Sequence, residues 1–166
     1  MSIELTVNGR TVSVLAAGDT PLLDVLRNHL ELKGSRYGCG LEQCGSCMVV
    51  IDGKAEYSCA RDIATVAGQH VETVESLLEH PLHQAFLDEQ AGQCGYCLSG
   101  ILMTAKALLD VNKTPSRDQI AAALDCHLCR CGAHPRIIRA IERAAAVLRA
   151  AAVLRAAAVL REGARS

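Results

Sequence analysis

Eight of the nine cysteines in this chain fall into two sets of four. Cys39, Cys44, Cys47 and Cys59 read C-x4-C-x2-C-x11-C, while Cys94, Cys97, Cys129 and Cys131 read C-x2-C-x31-C-x1-C. The first spacing is the plant-type arrangement for a [2Fe–2S] cluster, although its last interval is shorter than in plant ferredoxins. Its glycines let the backbone wrap closely and aim N–H groups at sulfur, which tunes a reduction potential. A zinc site would rather use paired C-x2-C knuckles or Cys/His mixtures. The second set, taken alone, leaves zinc or a redox dithiol open beside iron–sulfur. Next to the first set, the iron–sulfur reading gains. Two such centres pass electrons in single steps, so the chemistry points to a redox relay.

Nothing else in the sequence suggests a reaction. There is no nucleophile–base arrangement, no GxGxxG and no P-loop. His29, His70, His80, His83, His127 and His134 are scattered and read as surface or packing residues. Tyr37 and Tyr96 neighbour cluster cysteines and read as shields of sulfur from water.

The elements that must position the cysteines change character near residue 75. Ile3, Leu5 and Val7 alternate before Asn8-Gly9, and Val12 and Val14 follow, the pattern of a hairpin with a type I′ turn. Thr20 caps and Pro21 opens a helix through about Leu30, with Leu22, Leu23, Leu26 and Leu30 as its stripe. A Gly-rich loop over 34–47 leads to a second hairpin, Met48–Ile51 and Ala55–Ser58 around Asp52-Gly53, and Val71–Val74 is a closing strand. These make a small α+β domain. Beyond it the period is helical: Pro81–Gln90, a helix capped by Ser99, a third with a Ser116/Gln119 capping box through Leu124, and a fourth from Ile137. Four short helices suggest a bundle, and pairing them antiparallel would bring the two halves of the second cysteine set to one end. Cluster formation there would close a loop of about thirty residues and staple the domain.

The tail repeats Ala-Ala-Ala-Val-Leu-Arg at 144–149, 150–155 and 156–161. Six residues turn a helix by about 600°, so each copy is rotated by about 120° and no single face is apolar. One copy finishes the bundle helix, and the rest read as a helical extension without chemistry. The domains are therefore 1–75, 76–149 and the tail 150–166.

Composition excludes other classes. Half of the residues are hydrophobic, yet no run approaches a membrane span. The start is no signal peptide. Nine cysteines without an export signal imply a reducing, cytoplasmic compartment and metal use in place of disulfides. Residues 126–166 carry a net +6 and residues 1–125 a net −7. With four aromatics in the whole chain, the basic tail is no nucleic-acid platform and reads as a solvated face or subunit contact.

The ordered elements Gly38-Cys39-Gly40, Cys44-Gly45-Ser46-Cys47, Cys59, Gln93-Cys94-Gly95-Tyr96-Cys97 and Leu128-Cys129-Arg130-Cys131-Gly132 resemble the small iron–sulfur subunit of the xanthine oxidase family, the molybdenum hydroxylases. The resemblance covers about residues 3–148. Cys129 to His134 looks most like nicotinate-dehydrogenase and isoquinoline-oxidoreductase small subunits. It implies an N-terminal β-grasp plant-type ferredoxin domain and an all-α four-helix domain, α+β overall, with one [2Fe–2S] cluster each. It also implies a large partner subunit holding molybdenum with molybdopterin cytosine dinucleotide. Gln93 occupies the position that contacts the pterin across the subunit interface. Electrons would pass from molybdenum to the second set, then the first, then an FAD or cytochrome c subunit. The complex would hydroxylate an N-heterocycle such as nicotinate, and this chain would have no catalytic residue. Alternatives are an aldehyde- or CO-oxidising member, a free-standing two-cluster ferredoxin and a zinc-stabilised interaction module. A redox sensor acting through Cys126 is another.

The sequence departs from the family pattern at two places. Cys126 stands where Gly is common, at a C′ position expected to have positive φ and to cost ~1 kcal/mol for a non-glycine. It is read as a non-ligand. Leu98-Ser99 replaces Thr-Pro, with Ser99 still expected to cap.

Overall fold

The computed structural model describes residues 2–163. β1 (Ser2–Val7) and β2 (Arg10–Leu15) pair antiparallel. Their turn has Asn8 at φ 49° and Gly9 at φ 78°, the two positive values that a type I′ turn needs. β3 (Met48–Ile51) and β4 (Lys54–Tyr57) form the second hairpin, and the closing strand β5 spans His70–Glu72. The mixed sheet has order β2-β1-β5-β3-β4, with β5 parallel to β1 and antiparallel to β3.

The first helix differs from expectation. α1 covers only Leu22–Asp24 and continues as a π-helical turn over Val25–His29. Thr20 makes no cap, since Pro21 holds the N-cap position with no side-chain hydrogen bond. The wider turn sends Leu30 N–H to the Val25 carbonyl (3.1 Å), while Leu22, Val25 and Leu26 stay buried in the sheet core. A 3-10 turn at Ile63–Val66 buries Ile63 and Val66 against the same core.

Four helices follow: α2 (Pro81–Asp88), α3 (Leu98–Val111), α4 (Arg117–Leu124) and α5 (His134–Gly163). They enclose a second core around Leu82, Ile101, Leu109, Ile120, Ile137 and Ile141. The capping box at Ser116 forms as the sequence requires. Ser99 does not cap. α3 starts two residues earlier than a Ser99 cap would place it, with Cys97 at its N-cap, and the buried Ser99 hydroxyl donates to the Ser46 carbonyl at 3.3 Å. Ser99 thereby joins the helical core to the first cysteine loop. Val50, Leu77 and Met103 continue that junction as a small apolar cluster between sheet and α3.

α5 is one helix of 30 residues through the Ala-rich repeats. Its buried side ends near Ala144 and Ala145, and Leu148 packs against the helical core. Val153 and Leu154 are 68% and 71% exposed, as the rotating repeat requires. The side chains of Val159 and Leu160, and residues 164–166, lie outside the described residues.

Candidate metal centres

All nine cysteines are free thiols. In the first set, Cys39 N–H donates to Cys44 Sγ at 3.3 Å, and the two thiols are hydrogen-bonded. Cys47 and Cys59 form the other pair, buried together against Leu23. In the second set Cys94 Sγ and Cys131 Sγ are 3.4 Å apart, and Cys97 pairs with Cys129. Both sets are therefore gathered two by two. Among the described residues, no three or more His, Cys, Asp or Glu side chains close on one point as a single ion would need. The four thiolates of each set would suit a two-iron core, which cysteine holds with four thiolates, whereas a zinc ion would draw its donors to one centre.

The backbone is shaped for sulfur. Leu41 N–H and Gln43 N–H donate to Cys39 Sγ at 3.3 and 3.2 Å. Led by the Leu41 bond, they hold the Cys39 thiol down from 9.0 to about 7. Burial, and then the neighbouring Cys59 thiol, push Cys47 up to about 11. In the second set burial and the Cys129 thiol push Cys97 up to about 12. The Tyr96 N–H and the Cys131 thiol pull Cys94 down, with the Arg36 cation adding to them. For Cys129 burial acts upward, but N–H groups of Ala133, Cys131 and Gly132 and the Cys97 thiol outweigh it and lower the thiol. The first set thus has one thiol disposed to ionise, Cys39, and the second has two, Cys94 and Cys129, while Cys47 and Cys97 are the thiols that burial keeps protonated. The four thiols of the second set line one tight hollow together with Gly92, Gly95 and Ala133. A β-carbon at Gly38 would come within 2.6 Å of Cys44 Sγ, so the first loop also needs its glycine for close approach. Donor type, pairing and backbone donors all fit a [2Fe–2S] cluster in each set.

The two loops touch. Leu128 N–H donates to the Cys44 carbonyl at 3.1 Å, which links the residue before Cys129 to a cysteine of the first set. A β-carbon at Gly100 would lie 1.8 Å from the Gly45 carbonyl oxygen, so α3 can start this close to the first loop only with glycine there. His127 is buried. Its Nε2 bonds Thr104 Oγ1 at 2.8 Å, and its Nδ1 has no partner and lies against Gly45. Sequence reasoning placed no interdomain role on His127, Thr104 or Arg36, because no spacing signal marks contacts between distant loops.

Cys126 is half-buried, and its Sγ donates to the Ala123 carbonyl at 3.8 Å. The expected positive φ is absent: Asp125, at φ −58°, closes α4, and Cys126 is not among the left-handed residues. Its thiol faces the Tyr57 hydroxyl on β4, and burial followed by the Cys126 charge raises Tyr57 to about 12. Gln93 is exposed, and its Nε2 donates to the Cys131 carbonyl at 3.3 Å. Tyr37 and Tyr96 are 59% and 48% exposed, and Tyr96 Oη donates to the Tyr37 carbonyl.

Comparison with known proteins fits this geometry. A 2Fe-2S iron-sulfur cluster binding domain matches residues 5–78, and a [2Fe-2S] binding domain matches residues 68–142. A nicotinate dehydrogenase subunit of Pseudomonas putida is 54% identical over 148 residues, covering 87% of this chain and 94% of that one. The alpha chain of isoquinoline 1-oxidoreductase from Brevundimonas diminuta is 49% identical, covering 86% and 97%. The chain belongs to the [2Fe–2S] iron–sulfur subunits of the xanthine oxidase family of molybdenum hydroxylases. Solved members of the family superpose closely. Quinoline 2-oxidoreductase from Pseudomonas putida 86 gives a TM-score of 0.86 at 35% identity, covering 90% of this chain and 96% of that one. The aldehyde oxidoreductase of Desulfovibrio desulfuricans gives 0.87 at 37% identity, and there this chain spans only 17% of a much longer polypeptide. Among the described residues no helix is long and apolar enough to cross a membrane.

Proposed function

We propose that this chain is the electron-transfer subunit of a molybdenum hydroxylase complex. One [2Fe–2S] cluster is held by Cys39, Cys44, Cys47 and Cys59, and the other by Cys94, Cys97, Cys129 and Cys131. The observation that carries this reading is the two-by-two pairing of both thiol sets in a member of this family. When bound, such clusters accept and release one electron at a time. The chain's own residues do the rest. N–H groups of Leu41 and Gln43 stabilise negative charge on Cys39, and those of Ala133, Cys131 and Gly132 do so on Cys129. The Leu128-to-Cys44 hydrogen bond fixes the separation of the two sets.

We read residues 1–75 as a β-grasp plant-type ferredoxin domain, residues 76–149 as a four-helix domain and residues 150–166 as a tail. Separate sheet and helical cores support that division. The edge formed by exposed Gln93 and Cys94 and half-buried Cys131 faces a large partner subunit that holds molybdenum with molybdopterin cytosine dinucleotide, with Gln93 reaching the pterin. The first set faces the acceptor, an FAD or cytochrome c subunit. Nine free thiols suit a cytoplasmic setting. The substrate class is an N-heterocycle such as nicotinate, supported by the 54% identical relative.

The test is to isolate the native complex, add nicotinate without oxygen and follow the visible iron–sulfur absorbance. Nicotinate should bleach it faster than an aldehyde does. Isolation of the chain with no large subunit would contradict the reading, and bleaching by aldehyde alone would overturn the substrate class.

A further inference from the structure

One side chain of the first cysteine loop lies against the second. Arg36 stands three residues before Cys39, yet its Nη1 donates to the Gly95 carbonyl at 3.1 Å. Its guanidinium carbon stands 5.3 Å from the centre of the Tyr96 ring. Gly95 and Tyr96 are the residues between Cys94 and Cys97. The root of the side chain is fixed as well, because Arg36 N–H donates to the Ser46 carbonyl at 3.2 Å, beside Cys47. Tyr96 Oη in turn donates to the Tyr37 carbonyl, so the two loops hold each other at both ends of this contact. Arg36 is half-buried and, among the described residues, stands in no ion pair. Guanidinium stays charged at any physiological pH and stacks well on an aromatic face. A fixed cation without a counter-ion favours whatever neighbouring state carries the extra negative charge.

We propose that Arg36 is a positioning residue of the relay, a cation carried by the first cysteine loop that raises the reduction potential of the second set's centre relative to the first. The inference rests on reading both sets as [2Fe–2S] sites. The exchange concerned moves one electron between two centres of the same chain: one is oxidised as the other is reduced, no bond forms and no proton moves. Arg36 biases where that electron rests. Because Arg36 is anchored in one loop and donates into the other, the bias depends on the two loops being docked.

The experiment uses the full chain with its iron and sulfide counted first. If the wild-type chain fails to hold both clusters, the underlying reading fails and not the role of Arg36. With both present, each potential is followed by electron paramagnetic resonance during a redox titration. The second-set signal is identified by its change in Cys131→Ser. Arg36→Gln should lower the second potential alone, moving the electron partition toward the first set about tenfold, which is ~59 mV for a one-electron couple. Arg36→Lys, which keeps the charge, should recover at least half of the shift. An Arg36→Gln chain with unchanged potentials, or with both shifted equally, overturns the proposal. So does Arg36→Lys shifting as far as Arg36→Gln, which would mean shape and not charge. If Arg36→Gln loses a cluster, Tyr96→Leu carries the test: freeing the guanidinium should give a smaller shift of the same sign, and no shift overturns the proposal.

Discussion

Cysteine type and spacing place the chemistry in the sequence, but the pairing of Cys39 with Cys44, Cys47 with Cys59, Cys94 with Cys131 and Cys97 with Cys129 belongs to the folded chain. The pairing also splits the thiols by acidity. Nucleophilic attack follows the thiolate fraction, so Cys39, held near 7, should be alkylated at least about tenfold faster than Cys97, held near 12, when metal-free chain meets iodoacetamide at pH 8. Peptide mass spectrometry reads the order, and Cys97 reacting first would contradict it. A second residue carries a steric prediction. Gly100→Ala drives a β-carbon toward the Gly45 carbonyl and should cost about 1–3 kcal/mol in urea unfolding, since backbone cannot yield as a side chain can. An unchanged midpoint would mean that α3 and the first loop are not in contact. The two cysteine sets stand out in the sequence because most of their members are close neighbours along the chain, as the proposed cluster sites would require. Arg36, His127 and Thr104 do not, because their partners lie 59, 82 and 23 residues away along the chain, at intervals that no motif records.

The secondary structure was readable where local chemistry decides it and misread where packing does. Asn8-Gly9 and Asp52-Gly53 demand positive φ and gave both hairpins, and the capping box at Ser116 gave α4 its start. The stretch from Thr20 to Leu30 has a helical stripe, but its burial against the sheet is met by a π-helical turn that the stripe does not distinguish from an α-helix. Ser99 has the right type for a cap, yet its hydroxyl is claimed by the Ser46 carbonyl from the other half of the molecule. α2 has a cap that spacing did not suggest: His80 Nδ1 accepts from Leu82 N–H at 3.2 Å. That bond needs neutral imidazole. Burial holds His80 below the usual 6.5, with the Asp110 charge opposing and Lys106 adding to the effect. For a base with a lowered folded value, the stabilisation is complete above the unfolded 6.5 and is lost as pH falls through the folded value. His80→Ala should therefore cost about 1 kcal/mol at pH 7 and progressively less on acidification, while His80→Asn keeps a cap that does not titrate. Urea midpoints of the three chains at pH 7 and pH 5 check this, and equal losses at both would contradict it.

At the scale of the molecule, a sheet core and a helical core meet where the two cysteine loops meet. α5 leaves that body after Leu148, and its next apolar side chains face solvent. Removal of residues 150–166 should change unfolding stability by no more than about 0.5 kcal/mol and leave the iron content intact. A larger loss, measured by thermal denaturation, would show that the repeats pack on the body. The rotation of the six-residue repeat made this legible in the sequence. The docking of the two halves was not legible, since it depends on Ser99, Gly100 and Leu128 meeting Ser46, Gly45 and Cys44, all far earlier in the chain. The central claim, two [2Fe–2S] centres in one relay chain, is tested most directly by counting metal and acid-labile sulfide and recording the electron paramagnetic resonance of the reduced full-length protein. The account predicts iron and sulfide in equal amounts, about two of each per thiol set, and two distinguishable signals. Zinc in place of iron, or one signal that survives loss of either set, would contradict it.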